Sequence, residues 1–327
     1  GRVPVYSANV YEEFGRIDKE NMKDYSRPSV IWGIDGDWMV NIIPAGVPFY
    51  PTDHCGVLRI KTEKILPEYM MYALQAEGEY ERFSRINRAS AQRIRSLVVQ
   101  APETKIQKNI IDELKALDDK INGQNAEIEK YENSIRTKFD QIFHLEEFIS
   151  DGVFSKYEGY SVEDLCIDGR GRVINQQYIE NHKGPYPVYS SQTTNDGIFG
   201  SIDTFDFDGE YITWTTDGAK AGTVFYRNGK FNCTNVCGTL KAKNDKVNMR
   251  YLAYLLNRIA YKFVSRVGNN KLMNDAMKKI VVPVPKRQLQ DEFADFVQSV
   301  EKSKFECIGK KEKFEIEKDT FVHKYFR

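Results

Sequence analysis

The sequence predicts an α+β fold: two similar mixed α/β domains separated by two long antiparallel coiled-coil helices, arranged as a pseudo-twofold internal repeat. Three observations carry that expectation. An ordered series of matches links the two halves of the chain. Each half opens with short alternating segments rich in aromatics, Gly, Asn and Asp, the pattern of strands and turns. Each half closes with a long stretch whose apolar residues recur every seven positions, the pattern of a coiled coil.

The repeat begins at once. "GRVPVYSANVYEEFGRID" from Gly1 is echoed by "GPYPVYSSQTTNDGIFGSID" from Gly184. Pro4-Val5-Tyr6-Ser7 matches Pro187-Val188-Tyr189-Ser190, 183 residues later. Trp32 and Trp214 lie 182 apart, as do Asp35-Gly36 and Asp217-Gly218. "TDHCGVL" from Thr52 and "TNVCGTL" from Thr234 share that offset. Tyr69 and Tyr72 match Tyr251 and Tyr254, and Pro102 and Gln107 match Pro285 and Gln290. A period of this length is domain-sized and too long for a solenoid.

Within the copies, "GEYITWTT", "AGTVFYRNGKFNCTNV" and "KKIVVPVP" read as strands, joined by turns such as Arg227-Asn228-Gly229. "PEYMMYALQAEGEYERFSRI" and "NMRYLAYLLNRIAYKFVSRV" read as helices. In the first long stretch Leu114, Ile121, Ile128, Ile135 and Ile142 are seven apart; Ile110, Leu117 and Tyr131 fall on a companion seam that Gln124 and Lys138 interrupt. In the second, Phe293, Val300, Cys307, Phe314 and Phe321 repeat in the same way, with Val297 beside them. The two stripes fit pairing with each other, or packing of each on its own domain. The expected division is a first domain over 1–102, a helix over 103–150, a second domain over 151–285 and a helix over 286–327. The segment "YEGYSVEDLCIDGRGRVINQQYIENHK" before Gly184 has no counterpart before Gly1, so the first domain is expected to be shortened at its N-terminus.

Composition narrows the function. Lys+Arg and Asp+Glu both number 47, so a self-sufficient nucleic-acid binder, which is usually basic, is disfavoured. Apolar runs such as "IVVPVP" are too short to span a bilayer, and no secretory leader is visible, so no membrane partner is expected. Five cysteines do not make a disulfide framework and fit a reducing cytoplasm. Cys55 and Cys237 are repeat partners in strand-like sequence and read as small buried hydrophobes, and no metal site is expected. Two similar but divergent domains suit a ligand with two similar but non-identical sites, and duplex DNA is such a ligand.

With these features in place, the chain resembles the specificity subunits of Type I restriction–modification systems. The resemblance rests on the duplicated layout, on "APETKIQKNIIDEL" and "VPKRQLQDEFADFV" at the helix entries, and on "GTVFYRNGKFNCTNVCGTL". It implies that each globular unit is a target recognition domain. It implies helices that act as spacers and dock methyltransferase subunits, here through Leu114, Ile121, Ile128, Ile135, Val300 and Phe314. It implies adenine methylation of a split, asymmetric double-stranded DNA site, and cleavage once restriction/translocase subunits join. S-adenosylmethionine, Mg and ATP are then expected on those partners and none in this chain. The specificity subunit of a related Type II-like system, or a coiled-coil scaffold with repeated binding domains, also fits the layout.

No catalytic constellation stands out. There is no Asp/Asn-Pro-Pro-aromatic tetrapeptide, no glycine-rich strand-to-helix turn (the helix that should follow "WGIDGDW" is missing) and no Gly-Lys-Ser/Thr phosphate loop. The chain is read as a non-enzymatic subunit. DNA contact needs Lys and Arg for phosphates and Arg, Lys, Asn or Gln for base edges. Two equivalent segments supply both: "SRINRASAQRIRS", with Arg85, Arg88, Ser90, Gln92, Arg93 and Arg95, and "SRVGNNKLMND", with Arg266, Asn269, Asn270, Lys271 and Asn274. A solvated charged loop is the alternative reading. Thr216, Lys220 and Arg227 flank a Gly-rich turn that reads as another DNA contact or an ordinary hairpin, and Arg170 and Arg172 fit the DNA backbone. Tyr6 and Tyr189 read as core.

Overall fold

The short alternating stretches form small sheets, and their breaks at Gly, Asn and Asp become the turns between strands. The computed structural model describes residues 1–143 and 157–326. The chain forms two compact units: unit 1 is Gly1–Ile128 with Glu306–Arg327, and unit 2 is Glu129–Phe305. The ends expected for the first helix, at 150, and for the start of the second domain, at 151, lie outside the described residues.

In unit 1, β1 (Val3–Tyr6), β2 (Gly15–Ile17), β3 (Ser29–Gly33), β4 (Val40–Ile43), β5 (Tyr50–Pro51) and β6 (Cys55–Leu58) make two sheets, ordered β2-β1-β5 and β4-β3-β6. They are followed by α1 (Pro67–Tyr80), α2 (Ala91–Ser96) and the long α3 (Thr104–Phe143), whose last turns belong to unit 2. All of β3 is buried, and Trp32 sits opposite Gly56 of β6. A Cβ at Gly56 would lie 2.1 Å from the Trp32 ring, so only glycine lets the indole lie across the sheet.

Unit 2 contains β7 (Gly159–Ser161), α4 (Val162–Leu165), β8 (Cys166–Arg170), α5 (Gln176–Asn181), β9 (Lys183–Tyr189), β10 (Ile198–Ile202), β11 (Glu210–Thr215), β12 (Val224–Asn228), β13 (Asn232–Cys233) and β14 (Cys237–Ala242). Then come α6 (Met249–Ile259), α7 (Asn274–Lys278), β15 (Val281–Pro283) and the long α8 (Arg287–Phe326), whose last turns belong to unit 1. Its sheets are β10-β9-β13, β12-β11-β14-β8 and β15-β7. The first two repeat those of unit 1, with β8 added on the outer edge of β14. Trp214 lies over Gly238 as Trp32 lies over Gly56; a Cβ there would come 2.2 Å from the ring. The Asn228-Gly229 turn is not a hairpin: β12 pairs with β11, while β13 crosses to β9.

Both long helices are entered the same way. Gln107 and Gln290 are fully buried. Gln107 donates to the carbonyls of Lys64 and Pro102, both at 2.7 Å, and accepts from the Leu66 amide at 2.8 Å. Gln290 donates to Lys246 at 3.2 Å and Pro285 at 2.7 Å, and accepts from the Asn248 amide at 2.8 Å. Each glutamine thus satisfies three backbone groups where a helix entry meets the residue capping α1 or α6.

The helices pair antiparallel within each unit. In unit 1, Ile110, Ile111 and Leu114 near the start of α3 share a core with Phe326 at the end of α8, and Lys318 reaches Asp118 at 2.6 Å. In unit 2, Phe139 packs edge-on against Phe293 with ring centres 4.9 Å apart, and Lys138 meets Glu292 at 2.8 Å. Leu114 and Ile135 are buried in these cores, so they offer no outward face for docking another subunit. Ile121, Ile128, Val300 and Phe314 are half-buried. Among the described residues no helix is long and apolar enough to cross a membrane.

Candidate nucleic-acid interface

The candidate surface in unit 2 starts from the indole of Trp214. Its buried Nε1 donates to the Leu272 carbonyl at 2.9 Å, tying the loop after α6 to the sheet. The Leu272 amide returns a bond to Thr216 at 2.9 Å, and the Gly218 amide donates to Asn270 at 3.1 Å. Two segments far apart in sequence, 216–220 and 265–272, therefore form one platform. Asp217 is its electrostatic centre. Its carboxylate accepts from Thr216 Oγ1 at 2.6 Å, and lies 3.6 Å from Lys271 Nζ and 3.7 Å from Arg170 Nη2. Arg170, at the end of β8, also donates to the Asn235 carbonyl at 2.6 Å.

Unit 1 builds the same frame. Trp32 Nε1 donates to the Ala89 carbonyl at 2.9 Å, and the Ala89 amide donates to Ile34 at 2.9 Å. Asp35 stands where Asp217 stands. Arg88 reaches it at 3.1 Å, and His54 Nδ1 lies 2.9 Å away.

The expected contact residues divide accordingly. Arg85, Arg88, Gln92 and Arg95 in unit 1, and Lys220, Arg266, Asn269 and Lys271 in unit 2, are exposed; Asn270 is half-buried. Lys220 lies in the loop of the β11–β12 hairpin, where Gly218 and Gly222 take left-handed φ of +98° and +85°. Ser90 turns inward and caps α2, accepting from the Arg93 amide at 3.4 Å. Arg93 is held over the Phe83 ring at 4.6 Å and donates to the Arg88 carbonyl at 3.1 Å, so it staples the loop. Thr216 is fully buried, with its hydroxyl between Asp217 and Arg170, so it braces the platform from beneath. Asn274 turns its amide onto Asp168 at 2.9 Å and Gly169 at 3.0 Å, holding β8 in place. These four side chains each bond to protein groups inside their own unit, while Asn274 Oδ1 is buried with no hydrogen-bond partner among the described residues.

Arg227 is buried as well. It stacks 3.6 Å over Tyr189 and pairs with Asp196 at 2.5 Å. Arg172 pairs with Asp206 at 2.8 Å. Tyr6 packs edge-on against Phe49. The residues missed by sequence reasoning are Asp35, Asp217 and His54. The repeated Asp-Gly pair carried the signal for the two carboxylates; nothing local marked His54.

The chemistry of the remaining clusters is quiet. Burial pushes the Cys55 thiol up to about 12. Cys233 and Cys237 lie 3.4 Å apart and buried, and burial holds the Cys233 thiol well above its ordinary value. Among the described residues no group of three or more His, Cys, Asp or Glu is placed to hold a metal ion. A cavity of about 830 Å³ in unit 2 is lined by Arg136, Tyr226, Arg250, Arg258, Glu301 and Lys304. Three of its cations are paired, Arg250 with Glu301, Arg258 with Asp140 and Lys304 with Glu132, and Arg136 donates to Asn133 at 2.9 Å.

Known proteins align with this architecture. The family model for the Type I restriction modification DNA specificity domain matches residues 1–130 and 155–318, one match for each copy of the repeat. A putative type I specificity subunit of Mycoplasma pneumoniae is 39% identical over 212 residues, covering 64% of this chain and 77% of that protein. The specificity subunit of the Type I restriction enzyme MpnII, from the same organism, is 48% identical over 147 residues, or 45% of this chain and 44% of that protein. The crystal structure of an S subunit of a Type-I restriction-modification system from M. genitalium superposes with a TM-score of 0.61. It covers 100% of this chain and 89% of that one at 16% identity, a likeness of fold.

Proposed function

This chain belongs to the Type I restriction modification DNA specificity family, and from that premise we propose how it reads DNA. It recognises a split, asymmetric duplex site, one block for each unit. Unit 1 reads through Arg85, Arg88 and Gln92. Unit 2 reads through Arg170, Lys220, Arg266, Asn269, Asn270 and Lys271. The observation that carries this reading is the doubled frame: Asp35 and Asp217 occupy equivalent places, and each holds a cation from the loop behind the Trp-anchored strand. Such a frame fixes where a guanidinium or ammonium meets a phosphate or base edge, while leaving neighbouring residues free to differ.

The chemistry belongs to partners. Methyltransferase subunits dock on the long helices and transfer a methyl group from S-adenosylmethionine to adenine. Restriction/translocase subunits, with ATP and Mg, cleave unmodified DNA. The zero net charge gives the isolated chain little non-specific hold on the phosphate backbone. Tight binding at physiological salt therefore needs the methyltransferase subunits.

Co-expression with a cognate methyltransferase subunit, followed by modification-sensitive long-read sequencing of the host genome, tests this. The expected result is a methylated-adenine motif of two short blocks around a fixed gap. A continuous motif, or methylation unchanged when this chain is omitted, contradicts it.

A further inference from the structure

Each DNA-facing loop ends in a naked aliphatic side chain. Ile86 is 98% exposed and Val267 92% exposed. A single apolar residue at a surface is ordinary. These two are not independent. Ser84-Arg85-Ile86 and Ser265-Arg266-Val267 are repeat partners, 181 residues apart, one residue off the main offset. The same serine–arginine–aliphatic tip was built in both copies, although the residues after it differ.

Both tips are firmly held. In unit 1, the Ser84 amide donates to the Asn87 carbonyl at 2.9 Å, and the Asn87 amide returns a bond to Ser84 Oγ at 3.2 Å. Asn87 Nδ2 also binds the Glu81 and Arg82 carbonyls at 2.8 and 3.1 Å. Arg82 is held in the left-handed region, φ +55°, a conformation that persists only where surrounding bonds impose it. In unit 2, Ser265 and Lys271 exchange backbone bonds of 2.8 and 3.0 Å, and Gly268 turns the loop at φ +75°. Neither aliphatic group is near a core that would bury it, yet each is fixed outward. Cations flank both, Arg85 and Arg88 in unit 1 and Arg266 and Lys271 in unit 2.

A rigid apolar point between cations matches the chemistry of a duplex opened at one base step. The cations hold phosphates on either side, and the aliphatic group enters between partly unstacked bases. Resting on the DNA-reading function proposed above, the geometry points to Ile86 and Val267 as wedges. Each inserts at one step of its own block and kinks the DNA there. Specificity then includes a preference for an easily unstacked pyrimidine–purine step at that place.

The test uses the full chain in complex with its methyltransferase subunits. The duplexes carry the methylated site, with 2-aminopurine placed in turn at each purine other than the methylated adenine. Wild-type complex should raise 2-aminopurine fluorescence at one step in each block. Ile86→Ser should abolish the rise in one block only, and Val267→Ser in the other only. Each serine variant should weaken binding roughly tenfold, the loss of one buried aliphatic group, while Ile86→Leu retains both signals. Thermal unfolding of the serine variants should match wild type, since neither side chain packs inside the protein. Binding and methylation with no stacking change, or a rise that survives both serine variants, overturns the inference alone. So does an affinity loss that disappears when uracil replaces thymine, because the tips would then read thymine methyl groups instead. A wild-type complex that neither binds nor methylates any duplex overturns the functional reading and the wedges with it.

Discussion

Asp35 and Asp217 hold equivalent positions in the two units, but different side chains reach them. In unit 2 the partners are Lys271 and Arg170; in unit 1 they are Arg88 and His54. Arg170 comes from β8, the strand on the outer edge of β14. Among the described residues β6, the counterpart of β14, pairs only with β3, and His54 approaches from the loop just before it. The scaffold beneath is the same: a Trp over a Gly, an indole bond to the loop before α2 or α7, and a buried glutamine at the helix entry. The groups around the carboxylate thus differ between the units while these frame residues are shared. A frame that must keep its shape and a rim that must change its chemistry place their variation in this way.

The comparison can be broken most forcefully at the indoles. Trp32→Ala and Trp214→Ala each remove a buried ring and its bond to a loop carbonyl, and should cost roughly 3–5 kcal/mol. Hydrogen exchange should rise in 84–89 for the first and in 265–272 for the second. Rapid exchange in both loops from either change would show that the two frames are not separate devices.

The glutamines come next. Gln107→Leu and Gln290→Leu each strand one amide and two carbonyls, and should cost roughly 2–4 kcal/mol in urea unfolding. The account requires similar losses; a neutral change at either site would deny the equivalence.

Smaller still is the effect of single platform cations. Arg88→Ala or Lys271→Ala should each lower the slope of log affinity against log salt by about one, read from fluorescence anisotropy of the complex on its site. Arg170→Ala sharpens the contrast, since among the described residues that arm is seen in unit 2 alone. An unchanged slope would place these cations off the phosphate path.

The least effect concerns thiols. Burial pushes Cys55 and Cys166 up to about 12. A raised thiol holds its proton, so the reactive thiolate stays scarce below that value. Iodoacetamide at pH 8 should leave both unmodified in the native protein, by mass spectrometry, and alkylate both after unfolding. Native labelling of Cys55 alone would mark the β6 region as locally open.

Much of this was legible from the repeat, because matched residues at a constant offset must occupy matched places. The Trp, Gly, Asp and Gln frame could be paired before any coordinate was known. The long helices announced themselves by their seven-residue period. Side-chain direction in the loops was not legible. Ser90, Arg93, Thr216 and Asn274 have the residue types of DNA contacts, yet Ser90 and Arg93 bond within their own loop and Thr216 and Asn274 bond to β8, a distant segment. Heptad periodicity likewise identified Leu114 and Ile135 as apolar seam positions, but not that the domain cores would cover them. The turn at Asn228-Gly229 was legible as a turn, but not that β13 after it joins β9, because local sequence does not record which sheet the next strand joins.

The central claim is that each unit reads its own block of a split site. The most direct measurement is the methylation motif, by long-read sequencing, of cells expressing the methyltransferase subunit with an Arg266→Ala, Asn269→Ala double variant of this chain. The account predicts that one block loses specificity while the other block and the gap stay as in wild type. Alteration of both blocks, or of neither, in a complex that still assembles and methylates would contradict it.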